Sequence, residues 1–260
     1  MTYETVLLEM NEGIARLTVN QPKALNALSS KVLSDLDKAL DEIAANDDVH
    51  VVIVTGAGDK AFVAGANIKE MSDLNAAEGE QFSKLGNDVF SKLANLRQPS
   101  IAAINGFALG GGSELALACD LRIGTTTAKM GQPEVGLGIT PGFGGTQRLT
   151  RIVGIAKAKE MIYGGRNIDA ATAEKIGLLN QVVEPEALEE AAGKMATTIL
   201  RNAPYAVQQS KRAIDQGIEL PLAEALELEA KAFGNCFATK DQKEGMSAFI
   251  EKRRPDFPNN

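Results

Sequence analysis

Histidine and cysteine are nearly missing from this chain, and their scarcity excludes more than the abundant residues do. Its 260 residues include one histidine, His50. A Ser-His-Asp triad, a His-rich metal site or a zincin motif is therefore available only if His50 carries it. It lies in Asp47-Asp48-Val49-His50-Val51-Val52, at the start of an apolar run, where an ordinary strand-edge histidine is the simpler reading. The two cysteines, Cys119 and Cys236, are too few for a disulfide framework or a Cys-ligated zinc. Both have apolar neighbours and read as small buried hydrophobes, which suits a reducing compartment. Basic residues are in the minority: 27 Lys and Arg against 34 Asp and Glu leave a net charge of −7. With no long Lys/Arg run, neither nucleic acid nor a membrane surface is an expected partner. Apolar runs are broken by Gly, Asn or charge well short of a membrane span. The opening Met1-Thr2-Tyr3-Glu4-Thr5, with Arg16 as the first basic residue, fits neither a secretory nor a mitochondrial leader. The expectation is a soluble cytoplasmic protein whose chemistry rests on carboxylates and backbone dipoles.

What is present is ordinary globular composition, 44% hydrophobic and 23% charged. The length suggests one large domain or one domain with an appendage. Thr5–Met10 and Ile14–Val19 flank the turn signal Asn11-Glu12-Gly13 and predict a hairpin. Ser29 or Ser30 can cap a helix whose apolar face recurs at Leu33, Leu36, Leu40 and Ile43. Val51–Thr55 is the continuous β-branched run of a buried parallel strand. A helix with Phe82, Leu85, Val89, Leu93 and Leu96 on one face follows, then a strand at Ser100–Ile104, a short helix from Ser113 and a strand at Asp120–Ile123. This alternation predicts an α/β domain with a largely parallel sheet. Beyond about Ala187 strand signals vanish, and helices are predicted at Leu188–Leu200, Tyr205–Gly217, Leu222–Phe237 and Lys240–Lys252. The third is richly apolar, more than a small appendage can bury alone, so a subunit contact is expected. The division reads as an α/β core over residues 1–195 and a helical oligomerisation region over 196–260.

Glycine is the unusual resource, with 25 residues, many between Gly56 and Gly145. Gly110-Gly111-Gly112-Ser113-Glu114 precedes a helix, but no Gly-Lys-Ser/Thr follows, so it is not a Walker loop. Gly136-Leu137-Gly138-Ile139-Thr140-Pro141 has Pro141 where a dinucleotide fingerprint needs its third glycine. Ser113 lacks the second glycine of a nucleophile elbow. The triple glycine reads better as a helix start that approaches a ligand, with positive potential and free N–H groups there. The loop Phe62-Val63-Ala64-Gly65-Ala66-Asn67-Ile68-Lys69-Glu70 has the same form, with Asn67 as cap of a helix beginning near Ile68. Two such loops supply converging N–H donors, the requirement of an oxyanion hole. Each loop by itself also fits tight helix–sheet packing.

Two carboxylates border these glycines. Glu114 sits in the first turn of an otherwise apolar helix, and Glu134 in Gly131-Gln132-Pro133-Glu134-Val135-Gly136 without neighbouring charge. Singly, each fits dipole compensation. Together they suggest an acid/base pair that titrates as a unit.

The stretches Asn105–Glu114, Gly131–Glu134 and Pro141-Gly142-Phe143-Gly144-Gly145-Thr146-Gln147-Arg148-Leu149 resemble the enoyl-CoA hydratase (crotonase) family. The likeness runs from Pro22-Lys23-Ala24-Leu25-Asn26 to Glu244–Arg253, and Val135–Gly145 is similar to the bacterial short-chain branch, the 3-hydroxybutyryl-CoA dehydratases. The resemblance implies an α/β crotonase fold, a ClpP-like spiral of ββα units with a C-terminal helical oligomerisation region. It implies reversible syn hydration of short-chain trans-2-enoyl-CoA, crotonyl-CoA first, to (S)-3-hydroxyacyl-CoA, as in fatty-acid and butanoate metabolism. Glu114 would activate the water, Glu134 would exchange the C2 proton, and the N–H groups of Ala66 and Gly111 would hold the thioester oxygen. Gly142 matches a backbone position near that water. Lys23, Ala24 and Leu25 match a loop over the adenine–ribose portion of CoA, and Ala64, Asn67, Ile68 and Lys69 lie along the pantetheine path. Phe233, Phe249 and Lys252 match positions that reach a neighbouring subunit's ligand in hexamers built from two trimers, although Lys252 also fits a solvated helix face. No metal or cofactor is implied, CoA being part of the substrate. Asn67 replaces a common Asp and Ser113 a common Cys; neither change removes a catalytic group. The alternatives are an isomerase of the same family, against which both glutamates argue, or a non-catalytic acyl-CoA-binding subunit.

Overall fold

The chain opens with the expected hairpin in the computed structural model, which describes residues 3–257. Met1 and Thr2, and the last three residues, lie outside that range. Strands β1 (Val6–Asn11) and β2 (Ile14–Val19) pair antiparallel, Val6 opposite Val19. Helix α1 (Ser30–Ala45) begins where the Ser29 side chain accepts the Val32 N–H, and it buries Leu33, Leu36, Leu40 and Ile43. Strand β3 (Val51–Gly56) is buried on both faces for its first four residues, as its β-branched run requires.

From β3 onward the chain repeats a strand–strand–helix unit. The first is β3, β4 (Ala61–Val63), the single turn α2 (Ile68–Met71) and the long α3 (Ala76–Ala94), started by an Asn75/Glu78 capping box. The second is β5 (Ser100–Ile104), β6 (Phe107–Leu109) and α4 (Gly111–Ala118). The third is β7 (Leu121–Thr125), β8 (Lys129–Gly131) and α5 (Gly145–Val153). The first strand of each unit joins one sheet and the second strand joins another. The larger sheet runs β1-β2-β3-β5-β7, parallel after the hairpin. The smaller sheet runs β4-β6-β8, also parallel. This is the spiral of ββα units that the family resemblance implies.

The remaining elements close the two sheets. Helix α6 (Ile155–Gly164) leads to β9 (Ile168–Asp169), which pairs antiparallel with β8. Helix α7 (Ala170–Lys175) leads to β10 (Gln181–Val183), which joins β7 in parallel. Helix α8 (Leu188–Leu200) then packs Leu188, Ala192 and Ala196 on Val51, Ile53, Ile101 and Ile123. The opposite face of that sheet, with Val52, Val54, Ala102 and Ile104, shares the main core with α1, α3 and α4. Residue 195, the division expected from the sequence, falls inside α8.

Three helices follow: α9 (Pro204–Gly217), α10 (Leu222–Cys236) and α11 (Lys240–Glu251). They leave Ile218, Leu222, Phe233, Phe249 and Ile250 exposed. Lys211 of α9 ties this region to the core through Asp120. Cys119 is buried, and burial pushes its thiol up to about 12; Cys236 is half-buried. Among the described residues, no helix is long and apolar enough to cross a membrane.

The start of the short glycine-led helix differs from expectation. The short helix begins at Gly111, two residues before Ser113, because the Gly110 carbonyl accepts the Glu114 N–H at 2.9 Å. Ser113 is inside the helix and wholly buried. Gly112 cannot carry a side chain, since a Cβ there would lie 1.8 Å from the Val63 carbonyl oxygen of β4. Helix α4 therefore starts pressed against the small sheet.

Candidate active site

Strands β4, β6 and β8 lie side by side and parallel, so the three loops that follow them emerge at one edge. They border a cavity of about 730 Å³ that Ala66, Gly111, Glu114, Glu134 and Gly142 all line. Its remaining wall is largely apolar, with Ile68, Met71, Leu74, Phe82, Leu137 and Ile139.

The loop after β4 forms a parallel bridge between Ala66 and Leu28. That bridge uses the Leu28 N–H to the Gly65 carbonyl (2.9 Å) and the Asn67 N–H to the Leu28 carbonyl (2.8 Å). In this pattern the bridging residue's own N–H faces away from its partner. Ala66 also lines the cavity. Asn67 caps α2, its side chain accepting the Lys69 N–H at 3.2 Å, so the Asn-for-Asp exchange preserves the turn. The loop after β6 ends in Gly110, whose N–H donates to the Gly131 carbonyl at 2.9 Å. Gly111 is the first helical residue, and its N–H is among those a helix leaves unused. The backbone thus leaves two N–H groups, from neighbouring loops, bordering one space.

Glu114 is 1% exposed. Its Oε1 accepts two backbone N–H groups, from Phe143 at 2.8 Å and Gly145 at 2.7 Å. Burial pushes its carboxyl up to about 6, against the pull of those donors and of Arg148. Glu134 begins a 3-10 turn (Glu134–Leu137) and is 8% exposed. Burial pushes it further, to about 7; its own N–H opposes the rise and the charge of Glu114 adds to it. The buried Gln132 amide, turned to donate, meets both Glu134 oxygens, at 2.8 and 3.2 Å. Two carboxyl groups of one residue type thus differ in setting: one is held by fixed N–H donors, the other titrates near neutrality.

Such a pair on one cavity, beside two spare N–H groups, has the parts needed to add or remove water next to an activated carbonyl. A family model described as enoyl-CoA hydratase/isomerase matches residues 9–260. The chain belongs to the enoyl-CoA hydratase/isomerase family. Among its relatives, the short-chain-enoyl-CoA hydratase of Clostridium acetobutylicum is 53% identical over 254 residues, 98% of this chain and 97% of that protein. The crotonyl-CoA hydratase of Syntrophomonas wolfei is 51% identical over 259 residues, 99% of each. The crystal structure of enoyl-CoA hydratase from Bacillus anthracis matches with a TM-score of 0.96 at 41% identity, covering 99% of this chain and 100% of that one.

The other residues singled out in this family member are spread more widely. Ala64 and Ile68 line the main cavity, whereas Asn67 and Lys69 stand just outside it. Lys23 and Leu25 border a separate, smaller cavity of about 270 Å³ with Ala57–Ala61. Ala24 closes the 3-10 turn there (Pro22–Ala24). This loop is joined to the site through the Ala64 N–H, which donates to the Leu25 carbonyl at 3.0 Å. Phe233 and Phe249 are 66% and 85% exposed on α10 and α11, and Lys252 caps α11; none of the three lines the cavity of this chain.

Several residues that shape the site were not singled out in the sequence. Gln132 is one, and Arg148 another. Phe143 is held between Phe82 and Phe90 of α3, at ring-centre distances of 5.3 and 5.6 Å. The same helix contacts the Phe143 loop through Ser83, Asn87 and, by way of Arg148, Ser91. The available signal was the spacing of these three polar residues at i, i+4 and i+8, flanking the apolar stripe.

Proposed function

We propose that this enzyme reversibly adds water, in syn fashion, to short-chain trans-2-enoyl-CoA, crotonyl-CoA first, giving the (S)-3-hydroxyacyl-CoA. The observation that carries this reading is the pair of buried glutamates on one cavity, Glu114 held by the N–H groups of Phe143 and Gly145. Relatives near 50% identity over their full length, named short-chain-enoyl-CoA hydratase and crotonyl-CoA hydratase, support the substrate class.

The thioester oxygen sits between the N–H groups of Ala66 and Gly111. As water adds at C3, negative charge moves onto that oxygen, and fixed donors stabilise it without reorganising. Two fixed backbone N–H groups on Glu114 favour its ionised form, so it is the group that is ionised while its partner holds the proton. With Oε1 occupied by two N–H groups, its other oxygen takes the proton from water as the hydroxyl forms the C3–O bond. Glu134 gives its proton to C2, consuming the enolate charge. The protons then sit exchanged, on Glu114 instead of Glu134, and return through solvent; dehydration runs the same steps backwards. Syn addition requires both groups to act on one face of the substrate. An isomerase needs only one such carboxylate, and the second glutamate favours the hydratase. CoA belongs to the substrate, and the chemistry uses no resident cofactor.

The same reading gives the exposed C-terminal helices a role. Phe233, Phe249 and Lys252 reach the CoA of a neighbouring copy, in a hexamer of two trimers. A cytoplasmic location is consistent with this metabolism. The direct test is to follow the absorbance of the conjugated thioester after adding crotonyl-CoA to pure protein. Its loss at a rate proportional to enzyme is the expected result, and CoA binding without turnover would overturn the reading.

A further inference from the structure

The loop that holds Glu114 has each of its three consecutive peptide planes pinned from outside. In a trans peptide the carbonyl of one residue and the N–H of the next point in opposite directions. Holding the carbonyl therefore aims the N–H. The Gly142 carbonyl accepts from Ser83 Oγ at 2.5 Å and from Asn87 Nδ2 at 2.8 Å. The N–H on the other side of that plane belongs to Phe143 and meets Glu114. The Gly144 carbonyl accepts from the N–H groups of Gln147 and Arg148, at 3.0 and 2.8 Å, in the first turn of α5. The N–H of that plane belongs to Gly145 and also meets Glu114. The plane between them is held by Arg148, whose Nη1 donates to the Phe143 carbonyl at 2.9 Å while Nη2 reaches Ser91 Oγ at 3.2 Å.

We infer that Ser83, Asn87 and Ser91 of α3, together with Arg148, are positioning residues of the reaction: Ser83 and Asn87 hold the Gly142 carbonyl and so aim the Phe143 N–H at Glu114, while Arg148, braced by Ser91, fixes the plane between the two donors. The inference rests on Glu114 being the group that activates water. Helix α3 grips the same loop by two means. Its apolar edge clamps the Phe143 ring, with Gly86 so close beneath it that a Cβ would lie 2.3 Å from a ring carbon. Its polar edge fixes the backbone. Packing alone would set where the loop lies, but the polar stripe sets which way its N–H groups face. The charged groups facing Glu114 are Arg148 from α5 and Glu134 from the 3-10 turn. Lys84 and Asp88 of α3 are exposed.

The test is a Ser83→Ala/Asn87→Ala double variant assayed for crotonyl-CoA hydration across pH, beside Glu114→Gln. Misaiming one donor is expected to lower kcat on the order of ten- to a hundredfold and to leave KM within about threefold. A donor lost from the ionised form raises the carboxyl pKa, so the acid limb of the kcat profile should move to higher pH. Ser83→Thr, which keeps the hydroxyl, should restore most of the rate in an otherwise intact enzyme. If the double variant does not fold, Ser83→Ala alone removes one donor with little volume and reads the same limb. A folded variant with an unmoved acid limb, while Glu114→Gln is inactive, overturns the positioning role and leaves the hydratase reading standing. An active Glu114→Gln overturns both.

Discussion

A methyl group on Gly110 would lie 2.9 Å from Oε1 of Glu134, and Gly110 itself has φ +51° and ψ −122°. Position 110 thus serves the acid directly, by leaving room for it. Gly110→Ala should displace the carboxylate and place an L-residue in a conformation that costs roughly 1–3 kcal/mol. The expected outcome is a lower melting temperature together with a fall in kcat on the order of tenfold or more. Thermal unfolding and crotonyl-CoA turnover measured on one preparation would check it. Unchanged kcat in the folded variant would show that Glu134 has room to spare.

Glu134→Gln should separate activity from stability. General acid catalysis contributes about 10²–10⁴ in rate, so kcat should fall by that order. Stability should move the other way at alkaline pH. Burial raises the folded-state pKa from 4.5 to about 7. The associated stability is therefore fully present below about 4.5 and is lost as pH rises through about 7. Glutamine escapes that loss. The variant should gain on the order of 2 kcal/mol over the wild type at about pH 8, with the gain vanishing in acid. Urea unfolding at the two pH values measures it; a gain that is equal at both would point to a cause other than ionisation.

Hydration should also have a narrow pH optimum. Glu114 must be ionised, so kcat/KM rises through about 6, and Glu134 must be protonated, so it falls through about 7. The two apparent values belong to the pair. In Glu114→Gln the acid limb should disappear from any residual rate. A flat profile between about pH 5 and 8 would argue that neither glutamate titrates in the free enzyme.

How much of this was legible in the residues depended on segment length and on contacts between distant segments. Long periodic elements were readable: α8 has the bounds its pattern predicts, and α9–α11 differ by one residue at an end. The small sheet was not foreseen, because β4, β6 and β8 have three residues each, too few to display an alternation. Helices α5 to α7 were missed as well. Glu114, Glu134 and the two glycine-rich loops stood out because their composition is unusual wherever they fold. Ser83, Asn87 and Ser91 did not, since polar residues at helical spacing usually mean a solvated face. Their role depends on the loop at Gly142 and Phe143 and on Arg148, more than fifty residues away, and no local pattern encodes those contacts.

The small sheet has a metrical consequence. Parallel neighbours in a sheet lie about 4.8 Å apart, and the strands preceding Ala66, Gly111 and Glu134 are consecutive neighbours. In the proposed hydration, the two oxygen donors and the acid are therefore carried by loops that leave those strands in the same order. Hydrogen bonding between strands thus sets the order of the groups that the proposed reaction uses. Drift in the outer helices can alter what the cavity admits, but it leaves that order untouched.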